Sequence, residues 1–401
     1  MTAVQQPAGP IATTERIELL DVLRGFALMG MVVVHMVDSS AYQPKGFGPA
    51  TDFLLSSKML SLFSFLFGAG FGVQMLRAEA SGRAFVALYL RRMFVLFAFG
   101  ALQSVFLGWT SILEDYAIIG CMLLLLRRVP VRGILVTTLV VLSLAEFAGP
   151  INQMLRPGAG AQSRALRRQR VERMNEAKKS ATYREFVSLQ FETFQRRYQK
   201  PWWAWILLPQ NYLAICLLGF AAARSGLLER LGERRRLLKT TVWYGLFIGL
   251  LANPLPFLDV NLKFPGAGPL LTRLSFLLAG PSLALFYGAS IALAYQTERG
   301  RKLFGWLRWP GRMALTNYVL QASLVVFIFY GFGLGLIHSK INVPQGWALG
   351  LAVCALITGV SMAWLRRFEY GPLEWLWRTL TYGRSRRRTL PAFAGLSARG
   401  S

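Results

Sequence analysis

Apolar runs of about twenty residues recur along this chain, long enough to cross a bilayer as helices. The first, RIELLDVLRGFALMGMVVVHMVD at 16–38, carries charges inside it. Asp21 and Arg24 lie one helical turn apart and can pair. Arg24 and His35 are eleven residues apart, so they share nearly one face and stand about 16 Å apart along the axis. An arginine and a histidine on one face of a membrane helix are costly unless that face meets protein or a wet cavity. The stretch is therefore the default site.

With 54% hydrophobic residues over 401 positions, the chain is either a polytopic membrane protein or a large soluble helical one. Long apolar runs separated by Arg-rich loops decide for the membrane. The expected fold class is an all-α polytopic transmembrane helix bundle of about ten spans, at 17–38, 59–76, 88–108, 111–126, 131–150, 203–223, 237–252, 271–295, 313–337 and 346–364. The tail, the loops after even-numbered spans and the C-terminal segment together hold 27 Lys and Arg. That bias places both termini in the cytoplasm. The net charge of +26 then reflects topology and a bilayer with anionic headgroups as partner, not nucleic acid.

The chain divides into a disordered tail (1–15), a five-helix half (16–150), a basic loop (151–200), a second five-helix half (201–383) and a basic tail (384–401). The loop carries twelve Lys and Arg yet falls outside, as long loops can. Within it Tyr183, Val187, Phe191, Phe194 and Tyr198 form one apolar helix face, which can lie on the lipid surface or cover a site mouth. Pro201-Trp202-Trp203-Ala204-Trp205 follows as an interfacial aromatic anchor. The N-terminus lacks the features of a signal peptide, so the first helix is expected to stay as an anchor. Cys121, Cys216 and Cys354 sit inside apolar runs and read as small core residues. There is no metal-ligand spacing, zinc motif, phosphate-binding P-loop or dinucleotide fingerprint.

Other polar groups stand in or beside the spans. Glu114, Asp115 and Tyr116 at the start of the fourth span are either substrate-contacting or a solvated interface cluster, and Gln103 points toward the same outer cavity. Asn317 and Gln321 share one helix face, as helix–helix glue or as a substrate contact. Ser64-x3-Gly68-x3-Gly72 and Gly245-x3-Gly249 read as small-residue packing faces. His338 reads as interfacial. Glu374 is expected to pair with Arg378, with Trp375 and Trp377 at headgroup level. Gly280-Pro281 reads as a break in the eighth span.

RIELLDVLRGFALMGM, LFSFLFGAGFG (62–72) and YLRRM (89–93) resemble the first half of the YeiB-like membrane proteins, the domain-of-unknown-function family DUF-418. GRMALTNYVLQAS (311–323), FYGFGLGL (329–336) and GPLEWLWRTLTYG (371–383) resemble its second half. The resemblance covers most of the chain except 151–200. Against that pattern His35 replaces Asn, Gln103 replaces a family His and Ser111 a family Asp. Either the reactive histidine has migrated or this member has lost its chemistry. Arg24-x10-His35 is also similar to the first-helix motif of acyltransferase-3 membrane proteins. That similarity implies transfer of an acyl group from a cytoplasmic donor to an acceptor such as an envelope glycan or small molecule.

These readings set the functional expectations. His35 acts as general base on an acceptor, or is a structural histidine. Arg24 holds a donor phosphate, or only pairs with Asp21 or Glu18. Asp21 orients Arg24. Gln103, Ser111, Glu114, Asp115, Tyr116, Asn317 and Gln321 line the substrate site. No cofactor is permanently bound; acyl-CoA is the candidate co-substrate. The alternatives are a small-metabolite or lipid transporter and a non-catalytic membrane scaffold.

Overall fold

The computed structural model describes residues 18–40, 48–80, 85–108, 111–155, 161–179, 182–199, 210–228, 231, 233–255, 267–339 and 341–383. The two tails and the Trp202–Trp205 anchor lie outside these. Every regular element among the described residues is helical. In chain order they are α1 (Glu18–Ser39), α2 (Gly48–Leu54), α3 (Ser56–Ala80), α4 (Val86–Phe106), α5 (Ile112–Leu125), α6 (Val131–Leu155), α7 (Ala161–Lys179) and α8 (Tyr183–Tyr198). There follow α9 (Gln210–Arg224), α10 (Arg235–Ala252), α11 (Ala267–Tyr295), α12 (Glu298–Phe304), α13 (Arg308–Arg312), α14 (Ala314–Phe329), α15 (Val343–Leu365) and α16 (Pro372–Tyr382).

α1 is the hub. It packs against α3, α13, α14 and α15, and Val22, Ala27, Leu28, Val32 and Met36 on it have no solvent exposure. A helix apolar on nearly every side belongs in a core. Its closest neighbour is the short α13. A Cβ on Gly25 would lie 2.0 Å from the Leu307 carbonyl oxygen, and one on Gly311 would lie 1.8 Å from that of Asp21. α3 and α9 form a second such seam: a Cβ on Gly68 would lie 1.8 Å from the Cys216 oxygen, and one on Gly219 1.9 Å from the Phe65 oxygen. Small residues let helix backbones touch where lipid supplies no hydrophobic drive. The Gly68 and Gly72 face is thus a packing face, as is Gly245 and Gly249 against α11.

Among the described residues, five helices are long and apolar enough to cross a membrane: Glu18–Ser39, Ala50–Ala80, Val86–Phe106, Leu271–Tyr295 and Val343–Leu365. A sixth candidate is the pair Glu298–Arg312 and Ala314–Phe329, bent by 81° at its break. Helices stand at all ten positions read from the sequence, but among the described residues the apolar stretches Val131–Ser143 and Tyr212–Arg224 are shorter than a span, and α10 carries three basic residues in its 18. α5, at 14 residues, spans only about 21 Å. Large apolar side chains face outward, among them Phe94 (73% exposed), Trp243 (71%), Phe247 (64%) and Leu139 (67%). Exposed apolar surface of this kind suits lipid rather than water. α11 runs unbroken through Pro281, so Gly280-Pro281 is not the expected break. A proline removes one backbone donor, and here the helix continues past that loss.

α7 and α8 pack onto the helix ends. The Tyr183 hydroxyl donates to the Phe106 carbonyl at 2.9 Å, and the Gly331 N–H donates to the Lys178 carbonyl at 2.8 Å. Phe186 is fully buried against Tyr330 and Phe332. The expected apolar face is rotated: Phe191 is 48% exposed while Phe186 and Gln190 turn inward. α8 therefore covers protein with a face shifted by about one residue from the one read in the sequence. His338 joins this contact, its Nε2 lying 3.3 Å from the Lys179 oxygen. Of the cysteines, Cys216 and Cys354 are buried and Cys121 half-buried, all with free thiols.

Gly68→Val should lower the apparent unfolding midpoint in detergent, because the new side chain must displace the α9 backbone, a cost of about 1–3 kcal/mol or more. Gly359→Ala, in open space on α15, should leave the midpoint unchanged or raise it. Equal midpoints for Gly68→Val and wild type would refute the α3–α9 seam.

Candidate functional site

Arg24 Nη1 donates to Asp21 Oδ1 at 2.9 Å, as expected. Asp21 is 2% exposed and Arg24 28%, so the carboxylate is buried and the arginine side chain stays partly exposed. Glu18, the other partner considered for Arg24, pairs instead with Arg308 at 2.7 Å. Arg24 also passes beside α3, where a Cβ on Gly70 would be 3.4 Å from its Nη2. His35 lies farther along α1, half-buried, with its Nδ1 enclosed by protein.

A second polar group is built from α4, α5, α8 and α14, without His35. Glu114 has no exposed surface. Its carboxylate accepts from the Ser104 and Tyr198 hydroxyls, and Arg197 Nη1 lies 3.8 Å away. Arg197 also pairs closely with Asp115. Burial, and then the bond to Glu114, push the Tyr198 phenol well above its usual pKa, so it remains a donor. The Ser111 N–H donates to Ser104 Oγ at 2.9 Å, and the Ser111 hydroxyl donates to Gln103 Oε1 at 3.2 Å. Ser111 Oγ also accepts from the Leu113 N–H at 3.3 Å, an N-cap for α5. Tyr318 accepts from the Ile112 N–H at 3.3 Å.

The structure thus gathers Gln103, Ser111, Glu114 and Asp115. The acidic pair is buried and matched rather than solvated. Ser104 and Arg197 are not marked by any sequence pattern, and Tyr198 reads there only as part of the loop's apolar face and Tyr318 only as a neighbour of Asn317; Arg197 and Tyr198 sit in the long loop, whose docking no local pattern announces. Tyr116 points elsewhere. Its hydroxyl meets Ser64 Oγ at 2.9 Å and its ring stacks on Phe67 at 4.7 Å, which is packing. Asn317 donates to the Pro310 carbonyl at 3.1 Å and to Ser361 Oγ at 2.8 Å, acting as helix glue. Gln321, one turn on, is fully buried, and both its amide atoms lack a partner among the described residues, as does Gln103 Nε2. Orphaned buried amides mark places where water or a polar ligand belongs. No group of three His, Cys, Asp or Glu able to hold a metal occurs among the described residues.

Two expectations need correction. Glu374 does not pair with Arg378. It accepts from the Leu315 N–H at 2.7 Å, the Thr316 N–H at 3.1 Å and the Thr316 hydroxyl at 2.5 Å. The break before α14 leaves helix N–H groups needing an acceptor, and a carboxylate there also meets the positive end of the helix dipole. Burial raises the Glu374 pKa while these bonds pull it back. Trp377 is half-buried: Arg92 lies 4.0 Å over its ring, and its indole N–H donates to the Arg92 carbonyl at 3.1 Å. Trp375 is 59% exposed, in keeping with an interfacial position.

Glu374→Ala should destabilise the protein by about 1–2 kcal/mol through loss of this cap, with Glu374→Gln recovering part of it. Thermal unfolding in detergent reads the difference. An alanine variant as stable as wild type would rule out the capping role.

Residues 222–384 match the family described as "Protein of unknown function (DUF418)". Residues 16–152 match "Heparan-alpha-glucosaminide N-acetyltransferase, catalytic". The chain is 31% identical to "Uncharacterized protein YxaH" of Bacillus subtilis (strain 168), covering 93% of this chain and 96% of that protein. It is 28% identical to "Uncharacterized protein YeiB" of Escherichia coli (strain K12), over 92% and 96% of the two chains. A third relative is the "Uncharacterized 39.9 kDa protein in amylase 3'region" of Bacillus acidopullulyticus, at 29% identity over 94% and 96%. No solved structure matches. Similarity running nearly end to end, through both halves of the helix bundle, makes this chain a member of the YeiB-like DUF418 family.

Proposed function

We propose that this protein is a membrane acyltransferase with about ten spans and both termini in the cytoplasm, seated in a bacterial cytoplasmic membrane. The carrying observation is the match of residues 16–152 to an N-acetyltransferase catalytic region. That stretch contains α1, which bears both Arg24 and His35. A donor phosphate at Arg24 requires a flexible arm of about 16 Å to bring its acyl carbon to His35. Acyl-CoA has such an arm.

In this mechanism Asp21 holds the Arg24 guanidinium, and Arg24 binds donor phosphate. His35 takes the proton from an acceptor hydroxyl or amine as the oxygen or nitrogen attacks the thioester carbonyl. The carbon–sulfur bond breaks and the thiolate leaves, taking up a proton. Gln103, Ser111 and Gln321 supply neutral hydrogen-bonding groups for the acceptor.

His35→Ala should reduce envelope acylation by about 10²–10⁴-fold, the usual worth of a general base. Mass spectrometry of envelope glycans from cells carrying wild type, variant or no protein measures it. Identical acylation in all three sinks the proposal. A second reading, a non-catalytic scaffold, is favoured by the way Arg197 and Tyr198 occupy both acidic side chains; that identical result is the one it predicts.

A further inference from the structure

Two family motifs from opposite ends of the sequence meet at one end of the bundle. YLRRM contributes Arg92 on α4, and GPLEWLWR contributes Arg378 on α16. α3 ties them to the first helix. Gly70 on α3 faces Arg24 Nη2, and Gln74, one turn along the same face, accepts from Arg92 Nη1 at 2.8 Å. Positions 70 and 74 are separated by a rise of about 6 Å, so the two guanidinium groups sit about one turn apart along α3. Trp377 then joins Arg92 to α16, placing the neighbouring Arg378 beside it. The charges of both Arg24 and Arg378 reach Arg92.

Among the described residues, negative charge is scarce here. Asp21 pairs with Arg24. Arg92 takes a neutral amide and a ring face. Arg378 lies over the Tyr370 ring at 3.9 Å, and its Nη1 is enclosed without a hydrogen-bond partner among the described residues. The nearby carboxylate that could have served Arg378, Glu374, is committed to the start of α14. Three guanidinium groups against one carboxylate, partly withdrawn from water, repel one another. A doubly charged oxyanion relieves this, and forked arginine donors suit phosphate oxygens. Gly70 leaves the Arg24 side of the cluster free of a side chain.

We propose that Arg24, Arg92 and Arg378 form a binding site for a diphosphate or similar phosphate-bearing anion. The ligand is either a soluble phosphate ester or a lipid headgroup, which share this chemistry. The site shares Arg24 with the proposed donor side and rests on that reading only for what the phosphate is attached to.

The test uses the purified full-length protein in detergent and inorganic pyrophosphate as probe, followed by calorimetry and by the shift in unfolding midpoint. Saturable binding is expected, weakened at least tenfold in both Arg378→Gln and Arg24→Gln. Arg301→Gln, which removes a charge beside Glu18 and Arg308, should bind as wild type does. Arg378→Lys should fall between, since it keeps the charge and loses the fork. The unfolding midpoint without pyrophosphate checks that each variant is folded. Absence of saturable binding to wild type overturns the site. So does an Arg301→Gln loss equal to that of Arg378→Gln, which would indicate diffuse charge attraction. Competition by phosphatidylglycerol micelles, but not by phosphatidylcholine, supports a headgroup as the natural occupant. Displacement by a soluble nucleoside diphosphate and not by lipid supports a soluble ester. His35→Ala should still bind pyrophosphate, so a failure of acyl transfer and a failure of this site are separate results.

Discussion

The close approach of α1 to α13 sets the conditions for much of the second half of the fold. Gly25 and Gly311 each present a bare backbone to a carbonyl of the other segment. Any side chain at either position would push the segments apart. Held there, the chain turns through 81° before α14 begins. The turn creates a new helix N-terminus inside the protein, and its N–H groups must find acceptors. Glu374 supplies them from almost sixty residues away. That contact brings α16 down against α4 and lays Trp377 on Arg92. A backbone seam, a helix cap and an arginine cluster are thus successive consequences of one steric constraint.

The charged groups inside this apolar body follow a common rule. Removing a carboxylate or guanidinium from water costs several kcal/mol unless it is matched. Asp21 has Arg24, and the Glu114–Asp115 pair has Arg197 with two hydroxyls in support. Lys58, 3% exposed, gives its ammonium to the Asn253 side chain at 2.9 Å and to the Asp52 carbonyl. The departures from the rule are informative because they are few. Gln103 Nε2, Asn317 Oδ1, the Gln321 amide and one nitrogen of Arg378 are enclosed without hydrogen-bond partners among the described residues.

The long loop shows how a helix face can mislead. The sequence gives α8 a clear amphipathic pattern, and such a pattern fits a lipid surface and a protein surface equally well. What chooses is the partner. Phe186 finds Tyr330 and Phe332, and Tyr198 finds Glu114. With those contacts made, the burial face turns by about one residue and Phe191 is left outside.

The sequence by itself determined that the chain is helical and bilayer-sized in its apolar runs, because length and hydropathy act locally. It also determined the Asp21–Arg24 pair, since one helical turn of spacing is enough to fix it, and the small-residue faces at Gly68 and Gly245. Family membership was legible in motifs at both ends. Tertiary structure alone decided which partner each polar group takes. Glu374 had a suitable arginine four residues away and chose the backbone of another helix, whose N–H groups carried the greater penalty if left unmet. Pro281 had the chemistry of a break and made none. Arg197 reached across from the loop to Asp115. These choices depend on which unsatisfied group lies nearest in space, and a one-dimensional pattern holds no record of that.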